Sequence, residues 1–232
     1  MKKWAGWWPV VLLLVLGLII WQDQRVPEKK EIDAPAPIIS EVLPPESWEI
    51  GDITDVYRGV PVFHNGLDLV QSHGRHYSPS GYYYGQKWQC VEFIKRFYFD
   101  ALGHAFPDVM GHAKDFFDEE TPHGGINPRR NLLQFRNGGL EPPAVDDLIV
   151  FNDGYYGHVA IICAVHPEWI EIVQQNIFGQ PRASLPLRQK EGGYWVGDVY
   201  RPAGWLRVPK AWPESPDEGS QSSKPPVSVT LN

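Results

Sequence analysis

The chain has 232 residues, a formal net charge of −7 and 43% hydrophobic residues, enough to bury one full-sized core once its Pro-rich and polar ends are set aside. No run of Lys or Arg is long enough to neutralise several phosphates, which excludes nucleic acid as a partner class. The two cysteines, Cys90 and Cys163, sit in unlike local patterns and give no disulfide framework.

In chain order, Met1-Lys2-Lys3 precedes an uncharged run from Trp4 to Trp21, rich in Leu, Val and Ile and bracketed by tryptophans. At about eighteen residues it is long enough to span a thin or slightly adjusted bilayer, and the indoles suit its two interfaces. It ends in Trp21-Gln22-Asp23-Gln24-Arg25 with no Ala-x-Ala site, so residues 1–21 read as an uncleaved signal-anchor and not as a cleaved signal peptide. Lys2 and Lys3 favour a cytoplasmic N-terminus, partly offset by Arg25, Lys29 and Lys30. The expectation is a single-pass anchor in the inner (cell) membrane with the folded domain outside the cytoplasm.

Residues 22–47, with Val26-Pro27, Ala34-Pro35-Ala36-Pro37 and Pro44-Pro45 among charges, read as an extended linker. Residues 213–232 are equally poor in anything to bury and read as a disordered tail. Between them, residues 48–212 are dense in aromatic and β-branched side chains and form the expected folded domain. Within it, Cys90 to Gly103 places Val91, Ile94, Tyr98 and Ala101 on one face, widened by Phe93 and Phe97, and closes on a glycine: a buried amphipathic helix. Residues 111–120 suggest a second, shorter helix. Residues 148–151, 158–165, 169–175 and 194–200 are short β-rich runs separated by turn signals and read as antiparallel strands. Helices first and strands afterwards define an α+β domain.

A cysteine in the first turn of a helix faces unpaired amides that stabilise a thiolate and can donate to an oxyanion; the alternative is a small buried residue. His158, opening the strand 158–165 after a glycine-containing turn, is placed at a strand edge where it can serve as the base of Cys90. If the next turn centres on His166-Pro167, the residue opposite His158 is near 174 or 176 on the same face. Gln174 and, as the alternative, Asn176 are therefore the candidates to orient the imidazole through a side-chain amide oxygen.

The ordered motifs Gln89-Cys90-Val91-Glu92-Phe93 with Lys95-Arg96, Asp147-Leu148-Ile149-Val150-Phe151 and Gly157-His158-Val159-Ala160-Ile161 resemble the CHAP family of cysteine, histidine-dependent amidohydrolases/peptidases. Within that family, residues 59–66, Trp88 to Phe93 and Val173-Gln174-Gln175-Asn176 look most like the amidase domain of bifunctional glutathionylspermidine synthetase/amidases. The resemblance implies a papain-like (NlpC/P60-type) α+β fold with a helix-borne cysteine on an antiparallel sheet. It implies Cys90 as nucleophile, His158 as general base, a thioester intermediate and no metal or organic cofactor. It also implies a glutamate at the position of Gln174, so this chain departs by a neutral amide. The Cys90 backbone N–H is expected in the oxyanion hole.

His73-Gly-Arg-His76 and His112-Ala-Lys-Asp115 lack further ligands nearby and read as solvent-exposed polar groups, and no Asp-x-Asp-x-Asp-Gly calcium loop occurs. Asp118-Glu119-Glu120 could attract a cationic amine at a cleft or simply be solvated. Tyr82-Tyr83-Tyr84 and Trp88 are cleft walls or core, and Cys163, on the Val159-Ile161-Cys163-Val165 face, reads as inert core. The expected substrate is peptide-like or a polyamine conjugate. Cleavage of cell-wall peptidoglycan peptides suits a membrane-tethered domain, whereas a glutathionylspermidine amidase suits the local resemblance. No synthetase half is expected, because the chain ends soon after the amidase-like region. A degenerate peptide- or polyamine-binding module is the remaining alternative.

Overall fold

The computed structural model describes residues 48–107 and 111–210. The anchor, linker and tail expected over 1–21, 22–47 and 213–232 lie outside the described residues. No helix among the described residues is long and apolar enough to cross a membrane.

Two hairpins come first. Strands β1 (Ile53–Tyr57) and β2 (Val60–Phe63) pair antiparallel around Arg58-Gly59, whose φ values of 47° and 79° give the left-handed two-residue turn that matches strand twist. Strands β3 (Arg75–Tyr77) and β4 (Tyr83–Gln86) form the second. Helix α1 (Cys90–Leu102) follows, ending as the sequence predicts on a left-handed glycine, Gly103, whose N–H caps Tyr98 O. The expected second helix over 111–120 is only a 3-10 turn, Ala113–Phe116, because Phe117 is already extended. His112 N donates to the Asp115 carboxylate at 2.7 Å, and Thr121 Oγ1 and Glu120 N turn the chain onto Asp118.

Eight strands then form one antiparallel sheet: β5 (Gly125–Asn127), β6 (Leu132–Arg136), β7 (Leu148–Phe151), β8 (His158–Val165), β9 (Trp169–Val173), β10 (Arg182–Lys190), β11 (Gly193–Val196) and β12 (Gly204–Arg207). Their order is β11-β10-β9-β8-β7-β12-β6-β5, the last strand slotting between β7 and β6. The domain is thus mostly sheet with one helix. Four strands precede α1, so the simple order of helices before strands is corrected. The strand expected over 194–200 stops at Val196, where Gly197 turns with φ 78° and donates to Pro186 O.

Alternation along the strands places side chains on opposite faces. Leu148, Val150, Val159, Ile161 and Val173 pack with Phe93, Ile94, Phe97 and Tyr98 of α1, while Ile149, Ala160, Ile162, Ile172 and Trp205 form a second cluster. Burial on both faces accounts for the unbroken apolar run Leu148-Ile149-Val150. The buried face of α1 is wider than its apolar stripe. Val91 and Ala101 are only partly buried, whereas Glu92 and Arg96 are buried as an i,i+4 ion pair at 2.6 Å.

Candidate active site

Helix α1 begins at Cys90 with no side-chain cap: Gln89 is extended (φ −73°, ψ 156°) and makes no capping bond. Gln89 instead donates its side-chain amide to Leu69 O and Gln71 O and accepts from Asn176. The first-turn amides therefore stay available to the cysteine. Burial pushes the Cys90 thiol up to about 11, outweighing the N–H groups of Val159, Val91 and Cys90 that face the sulfur and favour its thiolate. Val159 is on β8, so its contact brings the first residue of that strand beside the cysteine.

That residue is His158. Its Nε2 lies 2.9 Å from Gln174 Oε1. An amide oxygen only accepts, so Nε2 carries the hydrogen and Nδ1 keeps the lone pair. Close packing pushes His158 down to about 4, against the bond to Gln174 that favours the imidazolium. Cys90 and His158 thus rest as neutral thiol and neutral imidazole around pH 7.

Pairing of β8 with β9 runs through Ile161↔Val173 and Ile162↔Ile172 with a bulge at Cys163, the hairpin expected from His166-Pro167. The ladder ends at Val173, and the next three side chains go separate ways. Gln174 meets His158. Gln175, 1% exposed, accepts from Phe63 N and donates to Gln89 O and to Glu92 Oε2 at 2.7 Å. Asn176, turned by its φ of 63°, donates to Leu69 O and Gln89 Oε1 and accepts from Asn65 Nδ2 at 2.7 Å. The alternative assignment of Asn176 to the imidazole is corrected: its amide is spent on the loop before α1.

Below the cleft, the Glu92 carboxylate receives His76 Nδ1, Arg96 Nε and Gln175 Nε2. Burial acts to raise its pKa, but these donors outweigh it and hold it below the usual carboxylate range. The spacing of Glu92 and Arg96 is the one signal in the sequence for this network. His76 also packs edge-on to Tyr84 and Trp88, and His73 bonds Asn65 O, so the reading of both histidines as solvent-exposed is corrected.

Cys90, His158 and Gln174 line one cleft of about 1040 Å³. Tyr83 and Tyr84 are in its wall, while Tyr82 stacks on Phe99 and Trp88 packs against Phe63 with its ring tilted by 35°. Lys95, His112 and Arg130 also line it, and no Asp or Glu does among the described residues. Asp118, Glu119 and Glu120 are not in its wall; Glu119 pairs with Arg136. Cys163 lies elsewhere, half-buried with Arg182 Nη1 at 3.7 Å, and burial and then Glu171 push it up to about 12.

A helix-borne cysteine beside an amide-held histidine on an antiparallel sheet defines the class of cysteine-histidine hydrolases. Residues 81–176 match the family model of the CHAP domain, a family of cysteine-dependent amidohydrolases/peptidases. It is 38% identical over 139 residues to the bifunctional glutathionylspermidine synthetase/amidase of Escherichia coli (strain K12), covering 53% of this chain and 22% of that protein. Against the trypanothione synthetase of Crithidia fasciculata it is 28% identical over 164 residues, covering 65% of this chain and 25% of the relative. The chain therefore spans about a quarter or less of the length of these curated relatives.

Proposed function

We propose that this chain hydrolyses an amide bond through a Cys90 thioester, with His158 as general base and Gln174 as the group that orients it, in a papain-like fold. The observation that carries the reading is the His158–Gln174 bond on the wall of the cleft that also holds Cys90.

As the sulfur attacks the scissile carbonyl carbon, Nδ1 of His158 takes the thiol proton. The oxyanion develops beside the Cys90 and Val91 amides at the helix N-terminus. The imidazolium then gives its proton to the leaving nitrogen as the C–N bond breaks, leaving the thioester. Water attacks the thioester and passes a proton to His158. The C–S bond breaks, the acid leaves, and the proton returns to Cys90.

The substrate proposed first is a peptide amide of cell-wall peptidoglycan, with residues 1–21 anchoring the domain at the outer face of the inner membrane. The uncharged run Trp4 to Trp21 supports this, as does a cleft lined by no Asp or Glu among the described residues, which suits an anionic peptide better than a polyamine. A second reading, hydrolysis of glutathionylspermidine, is favoured by the amidase half named in the Escherichia coli relative. The test is incubation of the detergent-solubilised full chain with purified peptidoglycan and, separately, with glutathionylspermidine, reading products by mass. New carboxyl and amino ends in stem peptides support the first reading, and free spermidine with glutathione the second. No product from either overturns both.

A further inference from the structure

Arg130 lies in the turn between β5 and β6 and is 2% exposed. Its guanidinium carbon sits 3.8 Å from the centroid of the Phe116 ring, and Nη2 donates to Asp115 O at 2.9 Å. Its Nε is buried with no hydrogen-bond partner. Arg96, the other buried arginine among the described residues, has the Glu92 carboxylate at 2.6 Å. Among the described residues no carboxylate lies within 4 Å of Arg130; the Asp115 charge favours its cation only from further off. Burial, and then the neighbouring Arg129 charge, lower its pKa to about 10 against the Asp115 charge, which raises it.

A buried guanidinium nitrogen left without an acceptor is unfavourable, and an acceptor brought by a ligand relieves that cost. Arg130 lines the catalytic cleft. The 3-10 turn that receives its Nη2 also receives the chain just before His158, through Lys114 N to Tyr156 O at 3.0 Å. The guanidinium is therefore fixed to the same support as the base.

We propose that Arg130 is a specificity-determining residue whose guanidinium receives a free carboxylate of the substrate. The assignment rests on the hydrolase reading above and narrows it to peptides that keep an unamidated carboxylate within reach of the scissile bond. Stem peptides and glutathionyl conjugates can both supply that group, and the test keeps them apart.

Two substrate pairs are compared on the full-length chain: a stem peptide and the same peptide with its free carboxylate amidated, and glutathionylspermidine and its γ-glutamyl carboxamide analogue. The parent protein is expected to prefer a carboxylate by about 10- to 100-fold in kcat/KM, mainly through KM, as for a charged group left unpaired. Arg130→Gln should bring that preference to within about threefold while retaining turnover of the carboxamide, and Arg130→Lys should keep part of it. The pair that shows the preference identifies the source of the carboxylate. A parent protein with equal rates on both members of each pair, or an unchanged preference in Arg130→Gln and Arg130→Lys, overturns the assignment. Calorimetry of the same four compounds on Cys90→Ala separates the two failures. A carboxylate preference in binding without hydrolysis by the parent protein sinks the hydrolase reading alone, and no preference in binding sinks Arg130.

Discussion

His158 Nε2 and Gln174 Oε1 stand 2.9 Å apart, and this contact sets which imidazole nitrogen is free to act as a base. The partner is neutral, so it fixes the ring without adding a charge that would favour the imidazolium. Burial then holds His158 down at about 4 and Cys90 up at about 11, giving a neutral resting pair and not a standing thiolate–imidazolium pair.

Gln174→Glu places a carboxylate against Nε2–H and raises the His158 pKa. The base is active only when neutral, so the acid limb of kcat/KM moves to higher pH, by about 1 unit or more. The same charge favours the thiolate, so iodoacetamide alkylates Cys90 faster at pH 6 than in the parent protein. Hydrolysis at pH 7 is preserved or raised. A pH–rate series with parallel alkylation rates checks this, and a complete loss of activity speaks against the geometry.

Glu92→Gln leaves the buried Arg96 guanidinium without its counter-charge. Breaking such a pair costs about 3–5 kcal/mol, read as a lowered urea midpoint. The same carboxylate accepts from Gln175, whose other bonds hold Phe63 N and Gln89 O, so Cys90 alkylation should change as well.

Stability should fall from pH 7 to pH 4.5. His158, His104 and His64 are all held below the ordinary histidine range by burial. Below about pH 6.5 the unfolded chain binds protons that the folded chain refuses, and stability drops until the folded pKa values are reached. His158 contributes ~1–2 kcal/mol of this loss after allowance for its exposed edge. Glu92 acts in the same direction: its folded pKa is depressed, so its contribution is present above its unfolded pKa and lost as pH falls through the folded one. Urea midpoints measured across this range check the sign.

Gly157→Ala tests how His158 is held. At φ 69° an added Cβ would lie 2.6 Å from Phe151 O and 2.7 Å from Lys114 N, both backbone atoms. Overpacking and the left-handed backbone together cost about 2–4 kcal/mol and displace the histidine. Gly154→Ala, at φ 74° with nothing within 4 Å, should cost only about 1 kcal/mol and leave activity intact. Paired unfolding and activity measurements separate the two effects.

What could be read before the structure followed from periodicity. Ile94 and Tyr98 repeat at helical spacing with Phe93 and Phe97 beside them and close on Gly103, so α1 was legible. The β8–β9 hairpin was legible from its alternation around His166-Pro167, and with it the approach of Gln174 to His158. Strand β10 was not, because Pro186 interrupts it at the point where pairing passes from β9 to β11. The four residues of β12 become a strand only because β6 and β7 flank them. The diversion of Asn176 depends on its left-handed backbone after the ladder ends at Val173, which no spacing rule reveals. Arg130 carries no signal at all, since the burial of its Nε without an acceptor is a property of the fold.

Cys90→Ala is the most direct measurement, made on whichever of the two amide substrates the parent protein cleaves. Removal of the nucleophile should lower the hydrolysis rate by about 10³-fold or more while the substrate still binds. Hydrolysis within tenfold of the parent protein would contradict a thioester mechanism at Cys90.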